Sequence, residues 1–261
     1  MSKTTVHLIG IAYDAKSSFM RGPAKAPDAI RQVLHDGSSN FWTEKGIDLN
    51  ATIDFVDQGN ISSDDYHQLP QLISELYSKD SPNIFLGGDH SITYPIIKTI
   101  ANTTADFDIL HFDAHTDLYD EFEGDKYSHA CPFARILEEG LCKRLVQVGI
   151  RTVTDHQQAQ ADKWDVEIIQ MKDIEKINKL QFERPVYISL DLDVFDPAYA
   201  PGVSHHEPGG LDPRTVINFL LNSDFALIGA DIVELNPVRD HHGMTAALAA
   251  KFLKEFSAMF V

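Results

Sequence analysis

Basic residues are scarce in this chain: 22 lysines and arginines stand against 39 aspartates and glutamates, a formal net charge of -17. That balance argues against nucleic acid or an anionic membrane as partner and permits a cationic ligand. Cysteine is scarcer still. Cys131 and Cys142 make no CxxC and no disulfide framework, which predicts reduced thiols. No apolar run approaches the roughly 18 residues that a membrane span needs. The opening stretch MSKTTVHLIGIAYD has one lysine and a short run that reads as a strand. A soluble, cytoplasmic protein is therefore expected. Also lacking are a G-x-G-x-x-G after a strand, a P-loop, an HExxH and a G-x-S-x-G, so dinucleotide, nucleotide, zincin and serine-hydrolase chemistries find no support. With no linker, low-complexity segment or long-period repeat, the 261 residues and their 43% hydrophobic content predict one domain over 1–261.

What is present is alternation. The β-branched runs TVHLIGIAY, NIFLGG, FDILHF, LVQVGI, PVYISLDLD and FALIGADIVEL are interleaved with helical patterns. Those patterns are APDAIRQVLH, SITYPIIKTIANT, PFARILEEG, a polar stretch from Thr154, DPRTVINFLLNS and MTAALAAKFLKEFSAMF. Strand and helix in turn predict an α/β fold whose parallel sheet is covered on both faces. Ser91 and Asp212 are placed as N-caps and Gly140 as a C-cap.

In such sheets ligands collect at the carboxyl ends of the strands. Those ends carry Asp89 and His90; Asp113, His115 and Asp117; Asp191 and Asp193; and Asp231 with Glu234. Side chains two apart on a strand share a face, so Asp113 and His115, and Asp191 with Asp193, are expected to converge, with Asp117 in the turn beyond. Several buried carboxylates need a counter-charge. Four aspartates would offset two divalent cations, and His90 and His115 add two neutral nitrogens. Oxygen-rich ligation without thiolate favours Mn²⁺, and two such ions about 3.5–4 Å apart make a water-activating hydrolytic site. Asp89, Asp196 and Asp231 are expected to hold turns or support ligands, and His7, His35, His67 and His156 to be structural.

The motifs GGDHS, DAHTD, SLDLDVFDPAYAPG and GADIVELNP, in this order, resemble the ureohydrolase family of arginase and agmatinase, and GPAKAPDAIR is similar to its first helix region. The resemblance implies a three-layer α/β/α fold with a central parallel sheet, assembled as trimers or hexamers. It implies that His90, Asp113, Asp117 and Asp191 hold one Mn²⁺ and that Asp113, His115, Asp191 and Asp193 hold the other. YSHACPF is similar to the agmatinase pattern SHGTPF, which makes His129 the proton-shuttling histidine, with Ala130 and Cys131 in place of Gly and Thr. Glu234 matches the carboxylate that holds the guanidinium. The implied reaction releases urea and a primary amine.

For the substrate's far end, the loop LYDEFEGDKYSH contributes Asp120, Glu121, Glu123 and Asp125 against Lys126. If those acids face the pocket, they repel an α-carboxylate and attract an amine tail. The chain also lacks the SGN stretch that resembles arginase's carboxylate-binding loop. Agmatine, giving putrescine, is therefore the expected substrate, with closer likeness to agmatinase than to arginase. His205 and His206 in APGVSHHEPGG, and Arg21 and Trp42 in the early loops, leave guanidinobutyrate or arginine as rivals. Other classes weighed are a metal-dependent amide deacetylase, which needs no Glu234, and a non-catalytic relative, which would lack a ligand.

Overall fold

The computed structural model describes residues 3–261. Eight strands form one parallel sheet in the order β2-β1-β3-β8-β7-β4-β5-β6. They are β1 (Thr4–Ile11), β2 (Ile53–Ile61), β3 (Asn83–Leu86), β4 (Asp108–Phe112), β5 (Arg144–Ile150), β6 (Glu167–Gln170), β7 (Val186–Asp191) and β8 (Leu227–Val233). The helices are α1 (Ala26–His35), α2 (Leu49–Thr52), α3 (Leu69–Leu76), α4 (Thr93–Ala101), α5 (Pro132–Glu138), α6 (Asp155–Trp164), α7 (Pro213–Asn222) and α8 (Met244–Ala258).

The strand pleat builds two cores. Ile84 and Leu86 of β3 join α1, α7 and α8 on one face, while Phe85 between them joins α3, α4 and α5 on the other. This is the three-layer α/β/α arrangement expected. β2 and β6 are the two strands not predicted, and both are sheet edges. Their sequences IDFVDQGNI and EIIQ lack the continuous apolar run of strands buried on both faces. No helix among the described residues is long and apolar enough to cross a membrane.

Register brings the site's strands level. Leu86 of β3 pairs with Ile232 of β8, Asp191 of β7 with Val233 of β8, and Phe112 of β4 with Leu190 of β7. All four central strands thus end at one edge. Beyond β3 the chain needs glycine at residue 88, where a Cβ would stand 1.7 Å from the Tyr13 carbonyl oxygen. Gly88 accepts from the Glu234 N–H at 2.9 Å, and Tyr13 accepts from the Asp89 N–H at 2.9 Å, so the ends of β1, β3 and β8 are tied together.

Of the predicted caps, Asp212 caps α7 through Thr215, and Gly140 follows α5 with φ +63°. Ser91 does not cap. Asp89 does, its Oδ1 accepting from the N–H and hydroxyl of Ser91, because a carboxylate one turn earlier reaches the free N–H groups first.

Candidate metal centre and active site

The metal-type residues converge, but not by strand alternation. β4 ends at Phe112, so Asp113, His115 and Asp117 all lie in the following loop, and Asp193 lies in a short turn after β7. Backbone capping shapes these turns instead. Asp113 Oδ1 accepts from His115 N–H at 2.6 Å, Asp191 Oδ1 from Asp193 N–H at 2.8 Å, and Asp193 Oδ1 from Ala114 N–H at 3.1 Å. Asp117 occupies left-handed backbone, φ +49°, a strain that functional sites tolerate when their surroundings fix it.

Two nests result. His90 Nδ1 lies 3.1 Å from Asp113 Oδ2, 3.0 Å from Asp117 Oδ2 and 3.1 Å from Asp191 Oδ2. This nitrogen is buried, yet no neighbour meets it with hydrogen-bond geometry. His115 Nδ1 lies 3.1 Å from Asp193 Oδ2 and 3.4 Å from Asp113 Oδ1. Asp113 therefore faces both nests with a different oxygen, whereas Asp191 offers Oδ2 only. Burial and the neighbouring Asp193 and Asp113 push the Asp191 carboxyl well above its usual range. Burial disfavours charge on His115, but Asp193 and Asp113 outweigh it and raise the ring to about 12. An orphaned imidazole nitrogen among three carboxylate oxygens, and acids that need positive charge, fit a divalent cation in each nest.

Sequence reasoning missed the layer behind. His111 is fully buried, and its Nε2 lies 2.8 Å from Asp113 Oδ2. The Gln147 amide donates to Thr116 O at 2.6 Å and points the same nitrogen at His111 Nδ1, 3.0 Å away. Nε2 is thereby left as the donor to Asp113, and burial favours the neutral ring. A His111-containing grouping is metal-like by proximity, but its Nε2 is spent on holding Asp113. The signal was LHFDAH, two residues before Asp113. Asp231, as expected, supports rather than ligates: it accepts from Ser189, Thr93 and Tyr187, and Ser189 Oγ meets His90 Nε2 at 3.0 Å.

Beside the nests, Glu234 sits at φ +65° just past β8. Its Oε1 accepts from His90 N–H at 2.9 Å and faces His129 Nδ1 at 3.0 Å. Its Oε2 is buried without a partner. Burial opposes charge on His129, but the hydrogen bond and charge of Glu234 prevail and raise it to about 9. His129 Nε2 meets Ser18 Oγ at 2.8 Å. Ser18 is a second residue the sequence did not single out, since nothing in KSSFM marks it.

A cavity of about 210 Å³ opens over these groups, smaller than the ~300–1,000 Å³ of drug-sized sites and suited to a small ligand. Ser18, His115, Asp117, His129, Asp191, Asp193, His205 and Glu234 line it, together with Tyr119, Phe122, Ala130, Thr152, Thr154 and Gln157. His205 stands 5.3 Å, ring to ring, from His129. His206 lies apart, 3.1 Å from Arg239 Nη2. Neither Arg21 nor Trp42 is among the lining residues. The four loop acids are not there either. Asp120 pairs with His156 at 2.9 Å, Asp125 pairs with Lys16, and Glu121 and Glu123 are exposed. None of the four lines the cavity, so the expected repulsion of a carboxylate, which required them to face it, finds no support in the lining. His7, His35, His67 and His156 stand outside the cavity lining, as expected, and Asp196 holds its own loop through Ala198 and Gly209 N–H.

The arginase family model matches residues 4–258. The chain belongs to the arginase family. Among its members, arginase 1, mitochondrial, of Arabidopsis thaliana is 42% identical, the match covering 98% of this chain and 81% of that one. The solved arginase from Medicago truncatula superposes with TM-score 0.91 at 40% identity, over 98% of this chain and 87% of that one. The agmatine ureohydrolase of Thermoplasma volcanium gives TM-score 0.87 at 33% identity, over 98% and 90%. Identity to these arginases exceeds identity to the agmatine enzyme, the reverse of the order that YSHACPF suggested. The family's chemistry is hydrolysis of guanidino carbon–nitrogen bonds.

Proposed function

We propose that the chain is a binuclear Mn²⁺ ureohydrolase that converts a linear guanidino compound and water to urea and a protonated primary amine. The observation carrying this reading is Glu234 Oε2, buried and unpartnered on the wall of a cavity also lined by Asp117, Asp191 and Asp193. A planar cation with parallel N–H donors is what such a carboxylate lacks. An amide deacetylase would leave it unused, and a non-catalytic relative would not keep all six ligands.

In this reading His90, Asp113, Asp117 and Asp191 would hold one ion, and Asp113, His115, Asp191 and Asp193 the other. Bound there, the two ions supply an activated water at neutral pH and offset developing negative charge. Glu234 fixes the guanidinium so that its central carbon faces the aspartates. His129 gives a proton to the departing amine, and His205 packs beside the bound substrate. Free thiols at Cys131 and Cys142 suit a reducing compartment such as the cytoplasm, and assembly as a trimer or hexamer belongs to the same proposal.

For the tail, the first substrate proposed is arginine. The loop acids are not among the cavity lining, which includes the hydroxyl and amide residues Ser18, Thr152, Thr154 and Gln157, and the relatives above 40% identity are named arginases. Agmatine remains the second reading, because no lysine or arginine is among the described lining residues to pair with a carboxylate. Measuring kcat/KM for arginine, agmatine and 4-guanidinobutyrate at equal Mn²⁺ loading decides it. Preference for agmatine would overturn the arginine assignment; urea from none of them would overturn the ureohydrolase reading.

A further inference from the structure

The loop between β1 and α1 is held in place by two acids, half-buried Asp14 and fully buried Asp89. Asp14 Oδ2 accepts from Gly22 N–H at 2.7 Å and Ala24 N–H at 3.2 Å. Asp89 Oδ2 accepts from Lys16 N–H at 2.9 Å and the Ser17 hydroxyl at 3.3 Å. Lys16 O in turn accepts from His129 N–H at 3.3 Å, and Lys16 Nζ pairs with Asp125. The effect of these ties is to set one side chain, Ser18, against one ring nitrogen, Nε2 of His129, at 2.8 Å.

The two nitrogens of His129 therefore have unequal neighbours. Nδ1 faces a carboxylate oxygen of Glu234, the proposed guanidinium anchor, at 3.0 Å, and Nε2 faces a hydroxyl oxygen. Ser18 is exposed, so its own O–H can donate to water and leave the oxygen free to accept from Nε2–H. We propose that Ser18 is a positioning residue that fixes the working tautomer of His129, accepting from Nε2–H so that Nδ1 is the atom that exchanges a proton with the substrate.

The chemistry needs this bias. With the guanidino group on Glu234, the imidazolium gives its Nδ1 proton to the departing amine nitrogen: the Nδ1–H bond breaks, an N–H bond forms on the amine, and the cleaved C–N pair stays with that nitrogen. What remains is a neutral ring protonated at Nε2. The Glu234 carboxylate pulls the other way, since a charge-assisted bond favours a neutral ring protonated at Nδ1. That tautomer holds the proton against Glu234 and leaves a bare Nε2 toward Ser18. The Ser18 oxygen offsets this pull. A raised His129 affinity for protons, set by Glu234 against burial, means that both N–H groups are present before the transfer.

The proposal rests on the ureohydrolase reading, so its test carries one readout that needs no turnover. In Ser18→Ala, kcat should fall about 10- to 100-fold, the size typical of a lost orienting hydrogen bond. KM and bound metal should be unchanged, and Ser18→Thr, which keeps the hydroxyl, should recover most of the rate. In parallel, histidine-ring ¹⁵N spectra, with His129 assigned through its loss in His129→Asn, read the tautomer on the basic side of its titration. The wild type should show Nε2–H, and Ser18→Ala should shift toward Nδ1–H. Unchanged kcat and tautomer in Ser18→Ala would overturn the proposal, as would equal losses in the Ala and Thr variants. A wild type that makes no urea but shows the tautomer shift would defeat the reaction assignment and leave the role of Ser18 standing.

Discussion

Glu234 Oε1 accepts the backbone N–H of His90 at 2.9 Å. A carboxylate proposed to take substrate is thereby tied to a residue proposed to take metal, so a shift of one disturbs the other. The link crosses from the end of β8 to the end of β3, strands that are paired in the sheet.

Glu234→Gln should lower kcat/KM for a guanidino substrate by about 10- to 100-fold, matching the 1.5–3 kcal/mol of a hydrogen bond to a charged group. The amide still accepts from His90, so metal content should stay at the wild-type level. Steady-state kinetics with metal analysis checks both halves. Loss of metal in this variant would mean that Glu234 acts through His90 rather than on substrate.

Replacing Asp113 with alanine should disrupt both nests, because its two oxygens face His90 and His115 separately, and Asp191→Ala should do the same in the proposed arrangement, where Asp191 holds both ions. His90→Ala should weaken one ion and spare the other. Manganese titration followed by calorimetry distinguishes these, with two ions per wild-type chain expected. Full occupancy in Asp191→Ala would remove it as a bridge.

The His129–Glu234 contact has a pH signature in metal-free protein. Burial disfavours the imidazolium, but Glu234 raises the folded ring to about 9, against about 6.5 unfolded. A raised folded pKa gives stability fully present below the unfolded value and lost as pH climbs through the folded one. The Tm gap between wild type and Glu234→Gln should therefore be widest below about pH 6.5 and narrow toward about pH 9. A gap that widens over that interval would reverse the assignment.

Legibility of the chain followed burial. The six inner strands announce themselves as short, mostly apolar β-branched runs, whereas the edge strands β2 and β6 carry more polar positions that read as loop. His90, Asp113, His115, Asp117, Asp191, Asp193 and Glu234 were visible because strand ends deliver residues to one edge, and His129 only through the likeness of YSHACPF to an agmatinase pattern. Their mutual geometry was not, since capping turns rather than strand pleat aim the side chains. Ser18 and the His111–Gln147 pair depend on contacts between segments 111 and 36 residues apart, which no local pattern encodes. The placement of the acids of residues 120–125 was hidden for the same reason: composition gives their charge but not the partners of Asp125 and Asp120, Lys16 in the loop after β1 and His156 in α6.

The most direct test of the account follows the guanidino carbon itself. Protein loaded with Mn²⁺ is incubated with arginine labelled with ¹³C at that carbon, and separately with labelled agmatine, and the products are read by carbon NMR. The account predicts labelled urea, one per primary amine formed, from wild type, and a strongly reduced yield from Glu234→Gln. Label remaining in the guanidino group of both compounds, in protein shown to hold two metal ions, would contradict it.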